Sequence, residues 1–173
     1  CPSEITQQLK EQPNTKVIEM KEEGSWNGMF WRFSPASDPK VDVIISRDTD
    51  CRLDEREKFA VEEWLASGKS FHIMRDHPFH RTEILGGMWG VRGNLLKDMD
   101  YLIEKYNKGD FWQVDQNFLR EHIYPMVKED CYVHDEFFEI NPFPHPRIGK
   151  NFVGQAFNAE NEPLHPEHGE MLT

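Results

Sequence analysis

The sequence predicts an α/β fold: a mixed, Rossmann-like sheet flanked by helices, closed by an irregular tail. Three observations carry this. "VDVIIS", Val41 to Ser46, is β-branched and almost continuously apolar, as a central strand covered on both faces should be. Short apolar runs and amphipathic helical patterns succeed one another from there to about residue 135. Beyond residue 140 the composition turns Pro- and His-rich. The chain therefore divides into an α/β domain over 1–140 and a tail over 141–173 that packs on the same domain.

Ser3 to Lys10 suggests a short helix and "KVIEM", 16–20, a short strand. In "GSWNGMFWRF", Gly24 and Gly28 loosen the backbone among aromatics. After the Val41–Ser46 strand, residues 54–67 read as a helix. Ala60, Val61, Trp64 and Leu65 share one face, acids fill the first turn and Gly68 stands just past the end. "SFHIM", 70–74, is a second strand. "EILGGMWGVRGN" places four glycines around apolar residues, so a strand here bends or approaches something closely. Asn94 is positioned to cap a helix whose stripe of Leu95, Leu96, Met99, Leu102, Ile103 and Tyr106 ends at Gly109. A further helix over 114–127 turns Phe118, Leu119, Ile123 and Met126 to the sheet, with Pro125 ending or kinking it.

At 173 residues, 38% of them hydrophobic, the chain can bury one core without disulfide or metal staples. A net charge of -11 repels a phosphate backbone, which argues against nucleic acid. It leaves room for a phosphorylated small molecule held through a divalent cation. Three cysteines, Cys1, Cys51 and Cys131, lack CxxC spacing and suit a reducing compartment. With no apolar run near the ~18 residues of a membrane span and no signal sequence, the expected location is cytoplasmic. A chain opening on Cys rather than Met reads as processed or excised from a longer one.

In "RDTD" strand alternation puts Asp48 and Asp50 on one side, at the carboxyl end where open α/β sheets bind ligands. Two hard-oxygen ligands suit Mg²⁺ or Mn²⁺ bridging to substrate phosphates. The competing reading makes them helix caps neutralised by Arg47 and Arg52. Asp76, in "FHIMRDHPFH", belongs to a polar loop with Arg75 and His77 at the same edge. His72, His77 and His80 lack the spacing of a zinc site. His134 and Asp135 read as a structural hydrogen-bonded pair. Among Trp26, Phe30, Trp31, Trp89, Phe111 and Trp112, Trp89 is the expected pocket wall, because it comes directly after Gly86, Gly87 and Met88.

"MFWRFSPASDPKVDVIISRDTDCRL", "ILGGMWGVRGN" and "VDQNFL" resemble, in order and approximate spacing, the GT-A glycosyltransferases, particularly the branch of glycogenin and bacterial lipopolysaccharide galactosyltransferases. The parallel covers Met29 to Leu119. It implies that Asp48 and Asp50 hold Mn²⁺ or Mg²⁺ against the diphosphate of a nucleotide sugar, and that Arg32 steadies this loop or the phosphates. By the same resemblance Gly86 and Gly87 admit the donor sugar, while Asp115 and Gln116 reach its hydroxyls or anomeric carbon. A C-terminal histidine, His165 or His168, would complete the metal site. The expected activity is sugar transfer from a nucleotide diphosphate donor to a glycan or other hydroxyl acceptor. If the reaction inverts the anomeric centre, Asp115 or Asp76 is the candidate base.

The family places a βαβ segment before its DxD strand, whereas only 47 residues precede Asp48. This motivates a second reading, a non-catalytic carbohydrate-binding or interaction module. A metal-dependent hydrolase built from the His and Asp clusters ranks last.

Overall fold

The computed structural model describes residues 2–106, 108–138 and 141–172; Cys1 lies outside them. Four strands form one mixed sheet in the order β1 (Val43–Ser46), β3 (Trp89–Arg92), β2 (Phe71–Arg75), β4 (Cys131–Asp135). β3 runs antiparallel to both β1 and β2, and β4 is parallel to β2. β1, β2 and β4 therefore point the same way, and their carboxyl ends share one edge with the loop that enters β3.

β2 is buried along its whole length. Its alternation splits the core in two: Phe71 and Ile73 belong to a large cluster with Phe33, Trp89, Phe118 and Ile123. Met74 faces a smaller one with Ala60, Met88, Phe143 and Val153. β1 differs from expectation. It is an edge strand in which only Ile44 and Ser46 are buried, and Val43 and Ile45 remain about 40% exposed. Its continuous apolar character does not distinguish a covered strand from one with an exposed apolar face.

Helix α1 (Ser3–Lys10) forms as expected and buries no residue. Residues 16–20 make no strand, and Ile18 and Met20 stay exposed because no neighbour covers them. A long 3₁₀ segment, Trp26–Ser37, then drops Phe30 and Phe33 into the large cluster. α2 (Glu55–Ser67) is capped by Asp54, which accepts from the Glu57 amide at 2.8 Å, and stops at Gly68 with φ of 84°. It buries Ala60 and Trp64, and leaves Leu65 exposed. Gly90 makes this packing possible: a Cβ there would meet the Trp64 ring at 2.9 Å.

α3 (Met99–Tyr106) starts at Met99, not Asn94, because residues 94–98 form turns after Gly93, whose φ is 67°. α4 (Val114–Phe118) continues through one π-helical turn, Leu119–Ile123, into α5 (Tyr124–Val127). Pro125 has no N–H for the preceding turn, and the wider turn absorbs that loss instead of breaking the helix. The inserted residue rotates α5 relative to α4, so Val127 is buried in place of Met126, which is 52% exposed.

Residues 141–172 lie across the second cluster and past the end of β1. The Val153 amide donates to Asp76, the Phe157 amide donates to the Asp50 carbonyl, and Cys51 bridges to Ala156. The last α-helix, α6, spans Pro166–Gly169 and runs on into a 3₁₀ turn, Glu170–Leu172. No helix among the described residues is long and apolar enough to cross a membrane.

Candidate functional site

At the carboxyl end of β1, a cavity of about 180 Å³ is bounded by Arg32, Asp48, Gly86, Gly87, Asp115 and Gln116, brought together from four segments of chain. Arg32, on the 3₁₀ segment, is pinned between two acids. It donates from Nη1 to Asp48 Oδ1 and from Nη2 to Asp115 Oδ2, the latter at 2.6 Å. The fork of a guanidinium can span two carboxylates in this way. Asp115 is 2% exposed and opens α4, where its negative charge is favoured by the helix N-terminus.

The two glycines form the floor. A Cβ on Gly86 would press on the Arg32 guanidinium and lie 2.7 Å from Asp115 Oδ2. One on Gly87 would strike the Asp48 carboxylate and lie 2.9 Å from the Asp48 amide. Any side chain here would dislodge the Arg32 pairing. Ser46 holds the floor in place by donating to the Gly86 carbonyl at 2.8 Å. The Gln116 side-chain amide makes no hydrogen bond to the described residues and lines the cavity.

Trp89 does not line the cavity. It is fully buried, stacked on Phe71 at 5.4 Å, because its place in β3 turns the ring into the large cluster. Trp26 and Trp112, 49% and 66% exposed, stand at the cavity instead. In the sequence both are aromatics among others; the signal that could single out Trp112 is its position just before the Asp115–Gln116 pair.

Asp76 does not line the cavity either. It is fully buried and accepts from Arg56 Nε and Nη2 at 2.9 Å each, from Arg147 at 2.5 Å and from the Val153 amide at 2.9 Å. Glu136 bridges the same two arginines. Asp76 thus ties the end of β2 to α2 and to the tail. His134 is structural as well, joined to His72 at 2.8 Å and to Glu63 at 3.1 Å, and Asp135 pairs with Arg75.

Asp50 is exposed and lies outside the cavity lining, and its carboxylate carries no ion pair from the described residues. Arg47 pairs with Glu57 and Arg52 with Asn161, so neither forms an ion pair with the two aspartates, and Asp54 rather than either caps α2. Two carboxylates at a strand end, one of them unpaired, suit a hard divalent cation as a partial ligand set. His165 and His168 do not enter the Asp48 cavity. The tail passes Asp50 before reaching them and sets them in an adjoining cavity beside His77. There their ring nitrogens and a Glu167 oxygen lie within 4.8 Å of one another.

His80 separates these two cavities and lines both. The Asp76 amide donates to its Nδ1 at 3.0 Å, which leaves the ring proton on Nε2. Burial, with His77 and His168 nearby, pushes His80 down to about 3, so the ring is a neutral donor. Burial and the charges of Asp48 and Asp50 push the Cys51 thiol up to about 12, which removes it as a nucleophile.

No protein-family model matches the chain, and no curated protein matches it. Among solved structures it is similar to a glycosyltransferase involved in the glycosylation of the major capsid of PBCV-1, with 17% identity and a TM-score of 0.52. The match covers 69% of this chain and 63% of that one, so the chain spans under two thirds of that protein's length. At this identity the likeness concerns the fold: an α/β, glycosyltransferase-like mixed sheet flanked by helices.

Proposed function

We propose that the chain is a GT-A-type glycosyltransferase that takes a sugar from a nucleotide diphosphate donor, with the sugar-diphosphate end seated in the Asp48 cavity. The observation that carries this reading is the Arg32 clamp on Asp48 and Asp115 above the side-chain-free floor of Gly86 and Gly87. Arg32 holds both carboxylates in place but is balanced by them, so the charge that attracts a diphosphate would come from a bound cation. Asp115, with one oxygen held by Arg32, and the unengaged Gln116 amide are placed to orient sugar hydroxyls. The exposed rings of Trp26 and Trp112 offer flat apolar faces to a pyranose and exclude water from one side.

Asp48 and Asp50 would hold a Mn²⁺ or Mg²⁺ ion, which when bound offsets the charge on the departing diphosphate. The acceptor is a glycan or another hydroxyl compound. An alternative, a carbohydrate-binding module without catalysis, draws support from the two tryptophans. It also draws support from the small cavity, against the ~300–1,000 Å³ of most small-molecule sites.

Thermal shift separates the two. As a transferase, the protein is stabilised more by a nucleoside diphosphate together with Mn²⁺ than by either alone. A binding module responds to free sugar and ignores the nucleotide with its metal.

A further inference from the structure

A second cavity, of about 490 Å³, opens beyond Gln116 and shares Leu85, Gln113 and Gln116 with the Asp48 cavity. Its wall is a polar stripe. Gln113, Gln116, Asn117 and Arg120 recur at the spacing of one helical face, running outward from the donor side, while Val114, Phe118 and Leu119 point into the core. Gln113 at the head of the stripe adopts a left-handed conformation with φ of 67°, which lifts the chain into α4 between the two cavities.

Facing the stripe is the loop after β2, with Arg81, Thr82 and Glu83. Arg81 donates from Nε to the Pro78 carbonyl at 3.1 Å and has no acidic partner among the described residues. Arg120 donates to Asn117 Oδ1 at 2.9 Å, and its other neighbour, Glu121 at 3.7 Å, is already paired with Lys108 at 2.5 Å. Two arginines, neither held by a close acidic partner, therefore line one opening against the single carboxylate of Glu83, a net positive lining in a chain of net charge -11. A wall of this kind favours an anion locally against the repulsion of the whole molecule. Thr82, Glu83, Asn117 and Gln116 add donors and acceptors for hydroxyls, and Phe79, 53% exposed, adds a ring face.

We infer that this cavity is the acceptor subsite and that it takes a sugar bearing a carboxylate or phosphate. The inference rests on the donor reading of the neighbouring cavity. A hydroxyl of the bound acceptor, directed past Gln116, forms the new bond from its oxygen to the anomeric carbon. The bond from that carbon to the diphosphate oxygen breaks, its electron pair leaves with the nucleoside diphosphate, and the hydroxyl proton passes to the departing diphosphate.

Saturation-transfer NMR on the whole chain, without nucleotide or metal, tests the cavity by itself with three probes: glucuronate, glucose 6-phosphate and glucose. The expected result is saturation by at least one anionic sugar, with glucose bound at least about tenfold more weakly. Preference between the two anions tells a carboxylate from a phosphate source. Combining Arg81→Gln with Arg120→Gln, both exposed, should weaken the anionic sugar about a hundredfold if each charge contributes about tenfold. The same variant should keep the wild-type melting temperature and the wild-type shift with nucleoside diphosphate and Mn²⁺. Binding of none of the three sugars, equal binding of glucose, or an unchanged double variant overturns the inference. Loss of the nucleotide response in the wild type, with anionic sugar binding intact, overturns the donor reading and with it the acceptor role, and leaves an anionic-sugar site.

Discussion

Arg32 decides the geometry of the candidate site, because one guanidinium positions the carboxylates of two distant elements, Asp48 and Asp115. A lysine offers one point charge and cannot span both. Arg32→Lys should therefore abolish the combined nucleotide and Mn²⁺ thermal shift while the fold persists, and a retained shift would show that the clamp is only structural. Asp115→Asn has a second consequence, since Asp115 is buried against Arg32: a loss of about 1–3 kcal/mol in unfolding free energy, read from the urea midpoint, besides any loss of turnover. Trp112→Ala should leave stability unchanged, because the ring is 66% exposed, and should weaken sugar binding. Asp48 is legible in the sequence because it stands just past the end of a recognisable strand, whereas Arg32, in the middle of its 3₁₀ segment, and Gly86, Gly87, Asp115 and Gln116 are singled out only by the resemblance of their motifs to those of GT-A glycosyltransferases. Trp89 and Asp76 could not be placed, because their surroundings come from distant residues: Phe33 and Phe71 for one, Arg56 and Arg147 for the other.

Elements bind the layers together through buried polar groups as much as through apolar packing. His72 in β2 stacks on Trp64 of α2 at 5.1 Å and meets His134 of β4. Burial, then the neighbouring His134, pushes His72 down to about 2, against 6.5 for a free imidazole. The unfolded chain takes up a proton here as pH falls through 6.5 and the folded chain does not. Stability should thus be full above pH 6.5 and decline below it by about 1.4 kcal/mol per pH unit from this residue. Urea midpoints at pH 7, 6 and 5 measure the slope, and His72→Gln should reduce it. Asp76→Ala would leave Arg56 and Arg147 with only the half-buried Glu136 as a shared carboxylate and should cost about 3–5 kcal/mol. Strand and helix identity were readable from local pattern for β1, β2, α1 and α2. The edge position of β1 and the rotation that buries Val127 instead of Met126 were not, because both depend on neighbours and on how the chain accommodates Pro125.

On the scale of the molecule, the sheet order turns separate sequence motifs into one site. With β3 antiparallel to β1 and β2, the glycines that lead into β3 arrive at the edge where β1 ends, and α4 delivers Asp115 to the same place. The sheet and its flanking helices are similar in fold to the solved glycosyltransferase. The sequence order of the motifs carried that much, whereas the separation of His165 and His168 from the Asp48 cavity depends on the path of an irregular tail with no periodicity to read. The most direct measurement is release of nucleoside diphosphate from a panel of nucleotide sugars, with and without Mn²⁺, by the wild type and by Asp48→Asn. A metal-dependent transferase at this cavity gives Mn²⁺-dependent release from at least one donor by the wild type, lost in Asp48→Asn. Release that is independent of Mn²⁺ and unchanged in Asp48→Asn, or no release from any donor, would contradict it.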